Sequence, residues 1–148
     1  MISILRTPKI PTLFCRLAVG LIFLSEGIQK YIFPDVVGTG RFEKIGFSDP
    51  SFWAYFTGAF EIVCGILILI GLLTRLATIP LLIIMMVAFI TTKFPILLDK
   101  GFWPMAHEYR TDFAMTLLLI FLLIYGGGNF SVDKKIYLRK KKLTYGGY

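Results

Sequence analysis

The chain has 148 residues, of which 56% are hydrophobic, 16% aromatic and only 17% charged, and its mean hydropathy is +0.74. Soluble domains average about 45–50% apolar and about 25% charged residues. The apolar residues here are concentrated in blocks of roughly 20 residues, the length that crosses a bilayer core of about 30 Å. This composition excludes a soluble enzyme, a disordered chain and a secreted disulfide scaffold, and it predicts an all-α membrane protein.

Four apolar blocks predict four transmembrane helices. They cover about residues 11–33, 52–73, 76–98 and 112–125. Pro80 and Pro95 interrupt the third block, but neighbouring helices can satisfy the backbone groups that a proline frees, so we predict one kinked span there. Only Thr74 and Arg75 separate the second and third blocks, which indicates a tight helical hairpin. Four consecutive spans predict an up-down four-helix bundle with both termini on the same side.

The distribution of lysine and arginine predicts the orientation of these spans. One side carries ten basic residues and one acid, Asp133, and the other side carries six basic residues and eight acids, so the two sides have net charges of +9 and −2. Both termini are therefore expected in the cytoplasm, with residues 1–133 forming the membrane domain and residues 134–148 a basic cytoplasmic tail. The net charge of +7 does not indicate nucleic-acid binding, because that needs a basic face on a soluble fold. The ten basic residues are Arg6, Lys9, Arg16, Arg75, Lys134, Lys135, Arg139, Lys140, Lys141 and Lys142.

Charged side chains inside the spans are the main functional signal in the sequence. Each costs about 2.5–3.5 kcal/mol at the centre of a bilayer on insertion scales, and such residues usually face the interior of a bundle. Five charged residues lie within or at the edge of the spans, and a rise of about 1.5 Å per residue places all five in the outer half of the membrane. They predict a polar pocket that opens towards the outer face and binds a ligand or exchanges protons. The five residues are Glu26, Lys30, Glu61, Lys93 and Asp112.

Two connecting segments flank this predicted pocket. Residues 33–51 predict a turn and one short amphipathic helix that covers the pocket from outside. His107 lies in the segment that leads into the fourth span, where it could relay protons at the mouth of the pocket. Glu26 and Lys30 are spaced i, i+4, the separation at which an acid and a base meet on a helix.

Small residues at helical spacing predict where the first two spans touch. Gly20 and Gly27 lie on one face of the first span, and Gly58 and Gly65 on one face of the second. Small residues let helices approach closely in lipid.

No metal or cofactor site is expected within the chain itself. Cys15 and Cys64 form no C-x-x-C motif and are predicted to be packing residues. One histidine and two unpaired cysteines cannot supply a tetrahedral zinc site or two histidine ligands for haem.

Several motifs together resemble the DoxX family over about residues 11–133. They are residues 16–30 (RLAVGLIFLSEGIQK), 60–75 (FEIVCGILILIGLLTR), 106–112 (AHEYRTD) and 126–133 (GGGNFSVD). The resemblance implies a small four-helix protein of the bacterial-type inner membrane. Some members resemble, or serve as, subunits of quinone-linked oxidation systems, including thiosulfate oxidation, and others accompany redox-stress enzymes.

Two functions remain open at this point. In the first, the chain is a membrane subunit of a quinone-linked or redox-stress oxidoreductase and not a complete enzyme; Glu61, Glu26 and Lys30 line a quinone or proton site, and a partner protein holds the electron carrier. In the second, it is a non-enzymatic scaffold or assembly protein whose buried charges hold the helices in register. Expected partners are the lipid bilayer, a redox protein or a second copy of the chain. A solute or proton pathway is disfavoured because the inner half of the spans has few polar residues besides Arg16 and Thr74.

Overall fold

The computed structural model describes the backbone of residues 11–145 and the side chains of residues 11–139. Arg6 and Lys9, and the side chains of Lys140, Lys141 and Lys142, lie outside this described part. Every regular element within residues 11–145 is a helix. The elements are α1 (Pro11–Ile32), α2 (Thr39–Ile45), α3 (Pro50–Ile70), α4 (Thr74–Ala88), a π-helical segment (Phe89–Lys93), α5 (Phe94–Lys100), α6 (Phe102–Tyr125) and α7 (Val132–Tyr145).

Three helical stretches in the described part are long and apolar enough to cross a membrane. They are Pro11–Ile32, Pro50–Ile70 and Thr74–Lys100. This confirms the all-helical class and shows several helices that are long and apolar enough to cross a membrane. The fourth predicted span lies within α6, whose apolar sequence is interrupted by Glu108, Arg110 and Asp112.

Several helix ends differ from those predicted. The helix predicted to end near residue 73 ends at Ile70, because Gly71 adopts a left-handed conformation with φ of 72°. The helix that contains the fourth apolar block, residues 112–125, begins ten residues earlier, because α6 starts at Phe102, directly after Gly101. Pro104 lies in its first turn, where a proline is tolerated because the backbone N–H groups there have no partner within the helix.

The third span is continuous, with a change of helix type near its second proline. In the π-helical segment the N–H of Phe94 donates to the carbonyl of Phe89, five residues earlier. This wider turn comes directly before Pro95, whose ring would clash with the carbonyl of Thr91 in a regular α-helix. Segments of this kind are frequent at functional sites. Here the segment ends at Lys93, whose side chain is buried.

The four long helical stretches enclose the buried core. α1 packs along α3, α3 against α4, α4 against α6, and α6 against α1. Cys64 is a free thiol in this core and Cys15 is a free thiol packed against it, which confirms their prediction as packing residues. The buried side chains that form this core cluster are Val19, Phe23, Cys64, Ile68, Ala77, Leu81, Met85, Met115, Leu119 and Leu122.

Four glycines lie at the α1–α3 interface. A Cβ atom on Gly20 would lie 3.0 Å from the carbonyl oxygen of Gly65, and one on Gly27 would lie 2.8 Å from that of Gly58. The backbones of α1 and α3 are therefore in contact at two places, which lie seven residues apart on each helix. The lack of a side chain at these positions brings the polar residues next to them on α1 and α3 within reach of each other.

Gly27→Ala is expected to destabilise the protein by about 1–3 kcal/mol, because the added methyl group overpacks a backbone contact that cannot move aside. Thermal unfolding in detergent micelles would measure this. Ala114→Val adds apolar volume at an exposed position of α6 and is the matched control. Equal unfolding temperatures for the two variants would show that the close α1–α3 contact contributes nothing to stability.

Candidate functional site

A buried ion pair joins α1 to α3. Lys30 Nζ lies 2.5 Å from Glu61 Oε2, and the two residues are only 7% and 4% exposed. The contact between Gly27 and Gly58 lies next to this pair and sets the short distance between the two backbones. The i, i+4 spacing suggested Glu26 as a partner of Lys30, but the structure pairs Lys30 with Glu61 on the neighbouring helix.

A second group of charges joins the third span to α6. Lys93 Nζ lies 3.6 Å from Asp112 Oδ2 and 3.8 Å from Glu108 Oε2. Lys93 is buried, Asp112 is partly buried and Glu108 is exposed. These three charged residues extend from the interior of the protein towards its surface.

A cavity of about 620 Å³ lies at the same end of the helices and is lined by residues of both charged groups. Both members of the Lys30–Glu61 pair line it, and Asp112 lines it from α6. Most of its remaining lining is aliphatic or aromatic, including Phe23 and Phe56. We call this space the charged cavity; its charged lining residues are Glu26, Lys30, Arg41, Glu61 and Asp112.

The short helix α2 covers one side of the charged cavity. Its existence confirms the helix predicted within residues 33–51. Arg41, Phe42 and Ile45 of α2 line the cavity together with Phe47 just after it. Phe47 lies 5.9 Å from Trp53 of α3 between ring centroids, so aromatic packing attaches this cover to the long helices.

Glu26 and Arg41 differ from the other charged lining residues. Within residues 11–139, neither side chain has a hydrogen bond or an ion pair. Glu26 is partly buried on α1, and Arg41 is exposed on α2. The cavity thus holds one carboxylate and one guanidinium that remain available to a ligand.

The predicted site residues divide into three groups. Glu26, Lys30, Glu61 and Asp112 line the charged cavity, and Lys93 contacts Asp112 next to it. His107 does not line the cavity: it is exposed on α6, in a stretch that the sequence placed before the helix. Within residues 11–145, no three His, Cys, Asp or Glu side chains gather in a way that could hold a metal ion.

A second polar cluster, which the sequence did not predict, is centred on Arg16 at the opposite end of the helices. Arg16 is 2% exposed, and its guanidinium donates four hydrogen bonds of 2.6–3.0 Å to backbone carbonyls. A Cβ atom on Gly71 would lie 2.7 Å from Arg16 Nη2, so only glycine fits the turn beside the guanidinium. The four acceptors are the carbonyls of Ile68, Leu69, Gly127 and Phe130.

Asp133 completes this junction. Its carboxylate accepts hydrogen bonds from the backbone N–H groups of Leu73 and Thr74, at 2.8 and 3.2 Å, and thereby caps α4. Its own N–H donates to the carbonyl of Gly71. Together, Arg16 and Asp133 join the start of α1, the α3–α4 turn and the start of α7. The sequence signals for this junction were an arginine inside an apolar block and a run of three glycines before Ser131.

The fold and these two clusters define a helical membrane protein with a charged cavity at one end and an arginine-centred junction at the other. The chain belongs to the DoxX family: the DoxX family model matches residues 12–93, which confirms the resemblance. The matched region includes Arg16, Lys30, Glu61 and Lys93 but ends before Asp112.

Curated relatives extend this similarity over most of the chain. It is 52% identical to "Uncharacterized membrane protein Rv3486" of Mycobacterium tuberculosis, over 85% of this chain and 82% of the relative. It is 31% identical to "Putative oxidoreductase CatD" of Bacillus subtilis, over 90% and 92% of the two chains. An uncharacterized protein of Haemophilus influenzae is 29% identical over 84% and 89%. No solved structure matches the chain.

Proposed function

We propose that this protein is a membrane subunit of a quinone-linked or redox-stress oxidoreductase and that the charged cavity binds a quinone-type ring. The observation that carries the proposal is a mostly apolar cavity lined by the buried Lys30–Glu61 pair, by Asp112, and by two further charged side chains that form no ion pair within residues 11–139. Buried charges cost free energy in a membrane protein and usually mark function. The name of the Bacillus subtilis relative supports oxidoreductase chemistry.

The membrane arrangement in this proposal is a four-helix bundle in a bacterial-type cytoplasmic membrane, with α1, α3, the third span and α6 crossing it. Both termini lie in the cytoplasm, and the charged cavity lies in the outer half of the bilayer. Asp133 and Arg16 support this orientation, since they bring the starts of α1 and α7 and the α3–α4 turn to one end. Lys134, Lys135 and Arg139 of α7 then face the anionic inner leaflet.

The residues of the charged cavity fit a flat, lipid-soluble ring. Phe23 and Phe56 offer apolar surface for it, while Lys30 and Arg41 carry N–H donors for its carbonyl oxygens. When bound, a quinone accepts two electrons and two protons. Glu26 is placed to relay both protons in turn from solvent, since its side chain lines the cavity and has no hydrogen bond or ion pair in the described part of the chain. The electrons come from a carrier on a partner protein.

The test is quinone binding to the purified full chain in lipid nanodiscs, for the wild type, Glu26→Leu and Glu61→Gln. Glu26→Leu removes a polar side chain that no ion pair needs, so this variant is expected to fold normally and to weaken binding about tenfold, the effect of losing roughly one polar contact to the ring. Glu61→Gln is expected to abolish binding because it also disturbs Lys30.

Glu43→Gln is the matched control, since Glu43 is exposed on α2 and does not line the cavity. Saturable binding that the Glu26 and Glu61 substitutions weaken and the Glu43 substitution leaves unchanged supports the proposal. A folded wild-type protein that binds no quinone would exclude it for the isolated chain.

The alternative is a non-enzymatic scaffold or assembly protein. The observation that favours it is the 2.5 Å Lys30–Glu61 pair, which joins α1 to α3 as a purely structural bridge would. A scaffold requires that a partner, either another protein or a second copy of the chain, co-purifies with the full-length protein. That partner would be lost on changes to residues 33–51 or to α7 and not on changes inside the charged cavity.

A further inference from the structure

A second, entirely apolar depression lies on the outside of the protein between α3 and α4. It has a volume of about 350 Å³ and is lined from α3 by Ala59, Val63 and Leu67, and from the α4 side by Leu73 and Leu76. Val63, Leu73 and Leu76 are more than half exposed, so this depression faces the lipid and not the core. We call it the α3–α4 groove.

The α3–α4 groove adjoins the charged cavity. Phe60 of α3 and Pro80 of α4 line both spaces. Beyond this shared boundary, Phe56 and Ile83 line the charged cavity while being about half exposed on the outside of the protein. The charged cavity therefore reaches the outer surface of the protein between α3 and α4, beside the groove.

The geometry points to a binding site in two parts, and we propose that the α3–α4 groove holds the hydrocarbon tail of the molecule whose ring occupies the charged cavity. This inference rests on the proposed function for the ring. The ligand is then a prenylated, membrane-resident quinone that enters from the bilayer through the opening between Phe60 and Pro80. The groove runs from Ala59 to Leu67, about 12 Å along α3 at 1.5 Å per residue, enough for the first few prenyl units.

The physics of the membrane limits what the groove contributes. Lipid tails are as apolar as the groove, so moving a prenyl tail from lipid into it gains no hydrophobic free energy, only van der Waals contacts with a fixed surface. We therefore expect the tail to increase affinity by about tenfold at most and to act chiefly by orienting the ring.

The experiment uses the full chain in nanodiscs and a quinone with a prenyl tail that carries a photoreactive diazirine. After illumination, mass spectrometry maps the labelled residues. We expect labelling of the α3–α4 groove, at residues such as Val63, that excess unlabelled prenylated quinone suppresses. Ala59→Trp fills the groove at an exposed position and is expected to reduce this labelling and to weaken binding of the tailed quinone about tenfold. The matched control is Ala114→Trp, at an exposed position of α6 that lines neither space.

A quinone without a tail separates this inference from the proposed function. We expect it to bind the wild type and Ala59→Trp equally. If it binds but the photoreactive tail labels all lipid-facing helices alike, the groove inference is wrong and the ring site stands. The groove inference is equally wrong if a photoreactive phospholipid labels the groove and excess prenylated quinone does not displace it. If neither quinone binds the folded wild type, the proposed function fails and the groove inference fails with it.

Discussion

Replacing Arg16 by leucine is expected to destabilise the protein by about 3–5 kcal/mol. The guanidinium donates to four backbone carbonyls that belong to the end of α3 and to the segment between α6 and α7. Leucine would remove these four donors: the carbonyl of Ile68 still accepts from the N–H of Gly71, while the carbonyls of Leu69, Gly127 and Phe130 lose a hydrogen bond at a side chain that is 2% exposed. Each unsatisfied buried group costs about 1–3 kcal/mol, and the costs do not add fully.

Thermal unfolding in detergent micelles measures this loss of stability, and Arg16→Lys tests how much of it depends on the shape of the guanidinium. Lysine keeps the charge but presents three donors from one point and not the planar fork of arginine, so an intermediate loss of stability is expected. Arg110→Leu removes an exposed arginine from α6 and is expected to change the free energy of unfolding by less than about 0.5 kcal/mol. If Arg16→Leu unfolds at the same temperature as Arg110→Leu, the hydrogen bonds of Arg16 do not stabilise the fold.

The second large effect concerns the Lys30–Glu61 pair. Glu61→Leu leaves the Lys30 ammonium group buried without a counter-charge, and we expect a loss of about 3–5 kcal/mol. Lys30→Met should cost a similar amount, because it leaves the Glu61 carboxylate buried without a counter-charge. Replacing a whole buried pair by apolar side chains is often neutral or stabilising, so the double variant Lys30→Met/Glu61→Leu is expected to recover most of the lost stability. Denaturant or thermal unfolding of the four proteins completes the double-mutant cycle.

The double variant also separates the two proposed functions. A scaffold needs only the folded bundle, so the stable double variant should retain partner binding. A quinone site needs Lys30 and Glu61 themselves, so the double variant should fold and yet bind no quinone. Quinone binding at the wild-type level by the double variant would show that this pair has only a structural role.

The class of the protein and the clustering of its charges were predictable from local information. Apolar block length indicates membrane helices, and counting residues along each block places Glu26, Lys30, Glu61 and Asp112 at similar depth. These quantities depend only on the helical rise, so no knowledge of packing is needed. The structure brings these four residues to one cavity.

The partner of each charge was not predictable in this way. The i, i+4 rule favours Glu26 for Lys30, but the contact of Gly27 with Gly58 brings Glu61 closer, at 2.5 Å. The bounds of α6 also escaped prediction, because a polar segment such as residues 102–111 lacks the apolar pattern on which a membrane span is recognised. His107 consequently lies on an exposed helix face and not at a cavity mouth.

By itself, the sequence determined the all-helical membrane class, the family and the set of residues from which a site could be built. Apolar block length and residue type express these properties without any long-range contact. Tertiary structure alone decided that Arg16 binds four carbonyls, that Lys30 pairs with Glu61, and that Phe60 and Pro80 line both a charged cavity and an apolar groove on the outside of the protein. Each of these depends on how closely two helices approach and how they are rotated, and that is set by side-chain packing between residues far apart in the chain.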